Sequence, residues 1–333
     1  MGENENNVLL EVKHLKTYYS GRKKSEIVRA VDDVSFIIHA GETLGLVGES
    51  GCGKSSLGRT ILRLQPAVGG EVLYRGEDIQ KLSEKEMRSL RQKMQLVFQN
   101  PYASLNPRMT VLESVRAPLD AFHIGTREER YERSREILKY VGLESHQINR
   151  YPHEFSGGQR QRVVIARAMI TQPDFIVCDE PVSALDVSVR AQVLNLMQNM
   201  QRERKVAYLF ISHDLSVVKH ISDRIAVMYL GKIVELASRD ELYEHPMHPY
   251  TEALLSAIPI PDADERPKRI ILQGDMPSPL KPPGGCRFHT RCRYAMDCCK
   301  TQEPKFIYDK QGHGVACHLY KGESGDERIG GKD

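Results

Sequence analysis

The chain has 333 residues, 40% of them hydrophobic and 27% charged, and a net charge of only +3. That length can bury one large core plus a smaller one, and the near balance of charge gives no reason to expect nucleic acid as a partner. The polar start MGENENNVLLEVKHLK is no secretory signal and no segment approaches the roughly 20 apolar residues that cross a bilayer, so a soluble protein of the reducing cytoplasm is expected.

In chain order, VLLEV and VSFII are short β-rich runs, AGE is a turn, and TLGLV is the continuous apolar run of a buried parallel strand. SSLGRTILRL follows, with Leu57, Ile61 and Leu64 at helical spacing. MQLVF, residues 94 to 98, predicts another strand, and NPYASLNP breaks regularity after it. Residues 108 to 150 are helical and heavily charged, the pattern of a solvated face. RVVIARAMI predicts an apolar helix behind SGGQ, DFIVCDE a buried strand ending in acids, VAYLFISHD a further strand, and IAVMYLGKIVELA a hairpin turning at Gly231. Prolines then accumulate at 246, 249, 259, 261, 267, 277, 279, 282 and 283, which places a boundary near 245. No internal repeat is visible.

Gly48, Glu49, Ser50, Gly51, Cys52, Gly53, Lys54 and Ser55 spell GESGCGKS, which fits the phosphate-loop pattern GxxxxGK[ST] between a predicted strand and a helix that continues with Ser56. Glycines let backbone N–H groups close around phosphate oxygens, and the helix N-terminus adds its positive end. Lys54 is expected on the β- and γ-phosphates of ATP and Ser55 on Mg²⁺; Cys52 is expected to contribute only backbone. FIVCDE supplies the other half. Its strand delivers Asp179 to hold Mg²⁺ and Glu180 as general base for the attacking water. In SGGQR, residues 156 to 160, two glycines ahead of a helix make a second anion-binding terminus, more than one nucleotide needs.

With these motifs in this order, residues 8 to 245 resemble the ATP-binding cassette ATPases. The resemblance implies an α/β fold of the ABC P-loop type, with a RecA-like core, an antiparallel β subdomain and a helical signature subdomain at about residues 100–165. A small Pro/Cys-rich C-terminal extension would occupy 246–333. It further implies that Ser156, Gly157, Gly158 and Gln159 cap ATP bound by a partner cassette, with Phe155 where many members have Leu. Gln99 in VFQNP resembles the glutamine that reaches Mg²⁺ and senses the membrane partner, Asp186 in SALD the D-loop acid, and His213 in ISHD the histidine on the γ-phosphate. Tyr19, or its neighbour Tyr18, stands where the family places an aromatic on adenine.

HPMHPYTEALLSAIPIPD, LGLVGESGCGKSSLGR and VFQNPYASLNPRMTV are similar to the ATPases of oligopeptide and dipeptide permeases, a family that includes nickel importers. The GCxFxxRC stretch resembles the second type of dipeptide-permease ATPase. The implied partners are a homologous second ATPase in a heterodimer, two transmembrane permease subunits and an extracytoplasmic peptide-binding protein, on the cytoplasmic face of the membrane. The competing readings are an importer of nickel or another small solute, and a cassette ATPase acting on ribosome or DNA.

Seven cysteines in a cytoplasmic chain point to metal or bystander roles, not to disulfides. Omitting Cys298, the spacing C-x5-C-x6-C-x17-C through Cys286, Cys292, Cys299 and Cys317 suits zinc or a [4Fe-4S] cluster, and spacing does not separate the two. Resemblance to the permease ATPases implies [4Fe-4S]; with zinc as the alternative, His289, His313 and His318 are the substitute ligands.

Overall fold

The computed structural model describes residues 7–21, 26–258, 269–321 and 327–328. The first six residues of the polar start and the prolines at 259, 261 and 267 lie outside the described residues. In chain order the elements are β1 (Val8–Ser20), β2 (Ile27–His39), β3 (Thr43–Val47), α1 (Lys54–Ile61), β4 (Gly69–Tyr74), β5 (Glu77–Asp78), α2 (Glu84–Leu90), β6 (Met94–Val97), α3 (Pro101–Ser104), α4 (Val111–Ala121) and α5 (Arg127–Tyr140). They continue with α6 (Gly157–Met169), β7 (Phe175–Asp179), α7 (Val187–Arg204), β8 (Ala207–Ser212), α8 (Leu215–Ile221), β9 (Arg224–Tyr229), β10 (Lys232–Ser238), α9 (Arg239–Glu244) and α10 (Pro249–Ser256). The tail adds α11 (Asp297–Thr301) and the two-residue strands β11 (Ile307–Tyr308), β12 (Gly314–Val315), β13 (Tyr320–Lys321) and β14 (Glu327–Arg328). Among the described residues no helix is long and apolar enough to cross a membrane.

The chain divides into two compact units, the first formed by Met1–Leu9, Ile38–Thr43 and Lys81–Ile211. Its strands β8, β7 and β6 pair in parallel, with Cys178 opposite both Phe210 and Val97. Every residue of β7 is buried, which accounts for its unbroken apolar run. The charged stretch predicted as helical resolves into α4 and α5, each opened by a capping box, Thr110 with Glu113 and Thr126 with Glu129. Only Ser134, Ile137 and Leu138 of α5 are buried, so the remainder is the solvated face that the sequence predicts. α7, which carries no side-chain capping bond, buries Val193, Met197 and Met200 as a stripe at helical spacing.

The second unit comprises Leu10–Ile37, Leu44–Gln80 and Ser212–Asp333. One sheet runs β2-β1-β4-β5, with β1 antiparallel to β4 from Leu10 opposite Tyr74. That pairing extends β1 far past the predicted VLLEV. The other strands lie in the order β11-β12-β10-β9-β3, β3 parallel to β9 and β9–β10 an antiparallel hairpin. Leu230 at φ 43° and Gly231 at φ 82° make its two-residue turn, a conformation that calls for glycine.

The tail returns onto this sheet, with Val315 of β12 opposite Glu235 of β10. Glu235 has no exposed surface, and its carboxylate accepts the backbone N–H groups of Met247 (2.6 Å) and His248 (2.9 Å) and meets His313 Nε2 at 2.7 Å. His248 in turn caps α10, its Nδ1 accepting the N–H of Tyr250 at 3.1 Å. Burial holds the His248 imidazole neutral, lowering its pKa from 6.5 to about 3. The unfolded chain binds this proton below pH 6.5 and the folded one does not, so stability is complete above pH 6.5 and is lost as pH falls toward 3. Unfolding free energy should therefore drop by about 2 kcal/mol between pH 6.5 and 5 on this account. His248→Asn keeps a capping acceptor but cannot titrate, and denaturant titrations across that range should show its slope shallower than wild type by that amount.

Candidate ATP site

β3 runs directly into the phosphate loop, and α1 starts at Lys54, inside the motif. Gly53 caps α1 at φ 110°, and a Cβ there would stand 1.9 Å from the carbonyl oxygen of Ala30, so only glycine fits. Cys52 is buried and its carbonyl accepts the N–H of Gly231 at 2.8 Å. Burial pushes its thiol pKa up against the pull of Lys54, leaving a neutral group that serves the loop through its backbone. The Lys54 ammonium, also buried, donates to the carbonyls of Gly48 (2.7 Å) and Glu49 (2.9 Å). Ser50 and Gly51 form the exposed crest of the loop, and Ser55 and Ser56 lie in the first turn of α1.

The two tyrosine candidates separate clearly. The Tyr19 hydroxyl donates to Ser56 Oγ at 3.1 Å, beside the loop, whereas the Tyr18 hydroxyl donates to the Asp32 carboxylate at 2.5 Å. Burial and that carboxylate raise the Tyr18 pKa to about 12. Two further loop contacts close over more than 200 residues of sequence. The N–H of Glu49 donates to the Tyr250 hydroxyl at 2.9 Å, and the Glu49 carboxylate accepts Arg291 Nη1 at 3.1 and 2.8 Å. The second unit also holds His213, exposed just after β8, where Asp214 caps α8 by accepting the N–H groups of Ser216 and Val217.

The first unit carries the remaining candidates. Asp179 is the buried last residue of β7. Glu180 follows at φ 47°, a left-handed conformation uncommon for a non-glycine, with its N–H donating to the Ile211 carbonyl at 3.0 Å. The Gln99 side-chain amide donates to Glu180 Oε2 at 2.8 Å, so the structure joins two residues 81 positions apart. Asn100 caps α3 just after Gln99. Arg160 stacks 3.8 Å over the Tyr102 ring of α3, while its guanidinium donates to the Pro152 and His153 carbonyls.

SGGQ proves to be a capping box. Ser156 Oγ accepts the Gln159 N–H at 3.3 Å and Gln159 Oε1 accepts the Ser156 N–H at 3.0 Å. Gly157 and Gly158 therefore form the first turn of α6, not a loop ahead of it. A Cβ on Gly158 would meet Val189 Cγ1 at 2.2 Å, so the glycine lets α6 and α7 approach. Asp186 stands exposed at the N-terminus of α7 with no side-chain cap bond.

In the tail, Cys286 donates its backbone N–H to the Cys299 carbonyl at 2.9 Å. Burial, with Cys286, Cys292 and Cys299 adding to it, pushes the Cys317 thiol up to about 12, and burial with Cys299 and Cys292 takes Cys286 to about 11. The four-cysteine metal site is nonetheless not formed as expected: among the described residues no three His, Cys, Asp or Glu side chains are grouped to hold one metal ion. The substitute histidines are engaged elsewhere, His313 with Glu235, His289 Nδ1 with the Cys286 carbonyl and His318 Nε2 with the Gln302 carbonyl.

Residues 31–183 match the ABC transporter family and residues 234–299 the oligopeptide/dipeptide transporter C-terminal region. The oligopeptide transport ATP-binding protein AppF of Bacillus subtilis is 52% identical over 320 residues, 94% of this chain and 97% of that protein. A putative peptide import ATP-binding protein of Brucella ovis is 53% identical over 309 residues, 93% and 97% of the two chains. Among solved structures, a dimeric ATP-binding cassette in a post-hydrolysis state with ADP and Pi superposes with a TM-score of 0.63 at 31% identity, covering 69% of this chain and 99% of that one. This chain belongs to the ABC transporter ATPases, in the group that carries the oligopeptide/dipeptide transporter C-terminal region.

Proposed function

We propose that this chain is the ATP-hydrolysing subunit of an importer of di- and oligopeptides, bound to the cytoplasmic face of the membrane through two permease subunits and served by an extracytoplasmic peptide-binding protein. The observation that carries the reading is the Glu180 carboxylate, retained at the end of β7 and held by Gln99 at 2.8 Å, in a chain that also bears the peptide-transporter C-terminal region. Peptide is the cargo in the printed names of the AppF and Brucella relatives, which supports that class over nickel. Residues 8–245 form the ATPase domain, with the helical subdomain at about 100–165, and 246–333 the extension.

Gly48–Ser56 wrap the phosphates, Lys54 neutralises the β- and γ-oxygens, and Tyr19 stacks on adenine. Ser55, Asp179 and Gln99 are the residues that would hold Mg²⁺, and the ion would offset phosphate charge. Glu180 takes the proton of the attacking water, and His213 steadies the γ-phosphate. The Gln99 amide, held on Glu180 at 2.8 Å, is also the group that would contact the ion and sense the membrane partner. Ser156–Gln159 and Asp186 act on ATP held by a homologous second ATPase, and the dimeric architecture of the solved cassette supports this two-chain arrangement.

The tail thiols Cys286, Cys292, Cys299 and Cys317 are proposed to hold a [4Fe-4S] cluster in a structural or redox-sensing role, with zinc the competing occupant. Cys286, Cys292 and Cys299 each raise the Cys317 thiol, which supports that set, and because the four side chains are not grouped to hold a metal ion here, taking up a cluster would require the 286–317 segment to rearrange.

Glu180→Gln should retain ATP binding, lower hydrolysis by about 10² or more and accumulate a nucleotide-bound dimer in size-exclusion chromatography; wild-type turnover would remove Glu180 from its role. Specific ATPase activity should rise with cassette concentration in the presence of the partner ATPase, whereas concentration-independent turnover by lone chains would contradict the two-chain site. Anaerobically purified protein should be brown and contain iron with acid-labile sulfide, lost in Cys317→Ser and kept in Cys298→Ser; colourless protein with stoichiometric zinc would sink the iron–sulfur assignment.

A further inference from the structure

The C-terminal extension is bonded directly to the phosphate loop. Arg291 lies between Cys286 and Cys292 in the thiol-bearing segment, yet its Nη1 reaches both carboxylate oxygens of Glu49, the second residue of GESGCGKS, at 3.1 and 2.8 Å. The Arg291 side chain is 8% exposed and that of Glu49 27%, so the pair is sheltered from solvent screening. The backbone of the same loop residue is held independently, its N–H donating to the Tyr250 hydroxyl at 2.9 Å.

Both anchors are rigid. Tyr250 is fully buried in α10, and its ring sits in an aromatic cluster with Tyr229 (4.8 Å between centroids) and Phe288 (5.4 Å), with Tyr229 and Phe288 5.2 Å apart. Arg287, next to Phe288, donates to the Leu230 carbonyl and pairs with Asp32. Leu230 opens the β9–β10 turn, whose Gly231 N–H binds the Cys52 carbonyl from the other side of the loop. The phosphate loop is therefore gripped at Glu49 by the extension and at Cys52 by the hairpin, and the extension also grips the hairpin.

A phosphate loop binds through backbone N–H groups whose directions are set by the loop conformation, so holding that conformation before ATP arrives removes an ordering cost from binding. We propose that Arg291 and Tyr250 are positioning residues of the ATP site: through Glu49 they hold the phosphate loop in its binding conformation and couple ATP affinity to the conformation of the 286–292 segment. This rests on the reading of Gly48–Ser55 as the phosphate loop.

The test is equilibrium binding of a fluorescent ATP analogue with Mg²⁺ to the full-length chain, together with steady-state ATPase kinetics of the assembled transporter. Arg291→Ala should raise the Kd about tenfold and raise KM while kcat is kept. Arg291→Lys should recover part of the loss, because lysine restores charge without the fork. Arg291→Ala and Glu49→Gln combined should be no weaker than the worse single variant, since both remove one interaction. Additive losses, or a Kd for Arg291→Ala within twofold of wild type, would overturn the proposal. If Arg291→Ala does not fold, Tyr250→Phe, which deletes only the hydroxyl that accepts the Glu49 N–H, carries the test with Arg291→Lys; wild-type Kd in both overturns it. Lys54→Ala separates the two levels. Undiminished binding by that variant removes the phosphate-loop reading itself, whereas loss in Lys54→Ala without loss in the Arg291 variants removes only the brace.

Discussion

A carboxylate with no exposed surface must find its partners inside the protein, and in the second unit Glu235 finds three. Its oxygens take the N–H groups of Met247 and His248 and the ring of His313. Leaving such a group unpaired costs several kcal/mol, so the pairing fixes where the chain leaves the β9–β10 hairpin region and where the tail returns. Once Met247 and His248 are pinned, α10 has its cap and Tyr250 its place in the aromatic cluster. Once His313 is pinned, β12 can pair with β10. The route by which the extension reaches the phosphate loop begins at this buried acid.

The first unit shows a different constraint. Glu180 is placed by a backbone conformation that a side chain with a Cβ adopts only under constraint, and the constraint is the hydrogen bond from its own N–H to Ile211. Its carboxylate is then occupied by Gln99. The residue that would take a proton from water and the residue that would report on the membrane partner thus hold each other. α3, which follows Gln99, packs through Tyr102 on Arg160 of α6 within the same unit.

Local rules made much of this chain legible. TLGLV and FIVCD are buried parallel strands because no polar residue interrupts them before the loop or the acid. GESGCGKS announces its glycine at 53 because nothing larger clears the Ala30 carbonyl. SGGQ was legible as a motif but not as a capping box, although Ser followed three residues later by Gln is a local signal that could have been read. α7 likewise had a readable stripe in Val193, Met197 and Met200.

What the sequence by itself determined is whatever depends on neighbours a few residues apart: the type of most strands and helices, the GESGCGKS and SGGQ motifs with the helix each one opens, and the cysteine-rich character of the tail. Tertiary structure alone decided the contacts that close over long separations. Glu49 meets Arg291 across 242 positions and Gln99 meets Glu180 across 81. No periodicity or spacing encodes such pairs, because an arginine or glutamine on a loop is chemically complete with water until folding removes the water and leaves one carboxylate within reach. The same reason governs the thiols. Their number is a property of the sequence, but whether four of them turn toward one point depends on the folded path of the 286–317 segment.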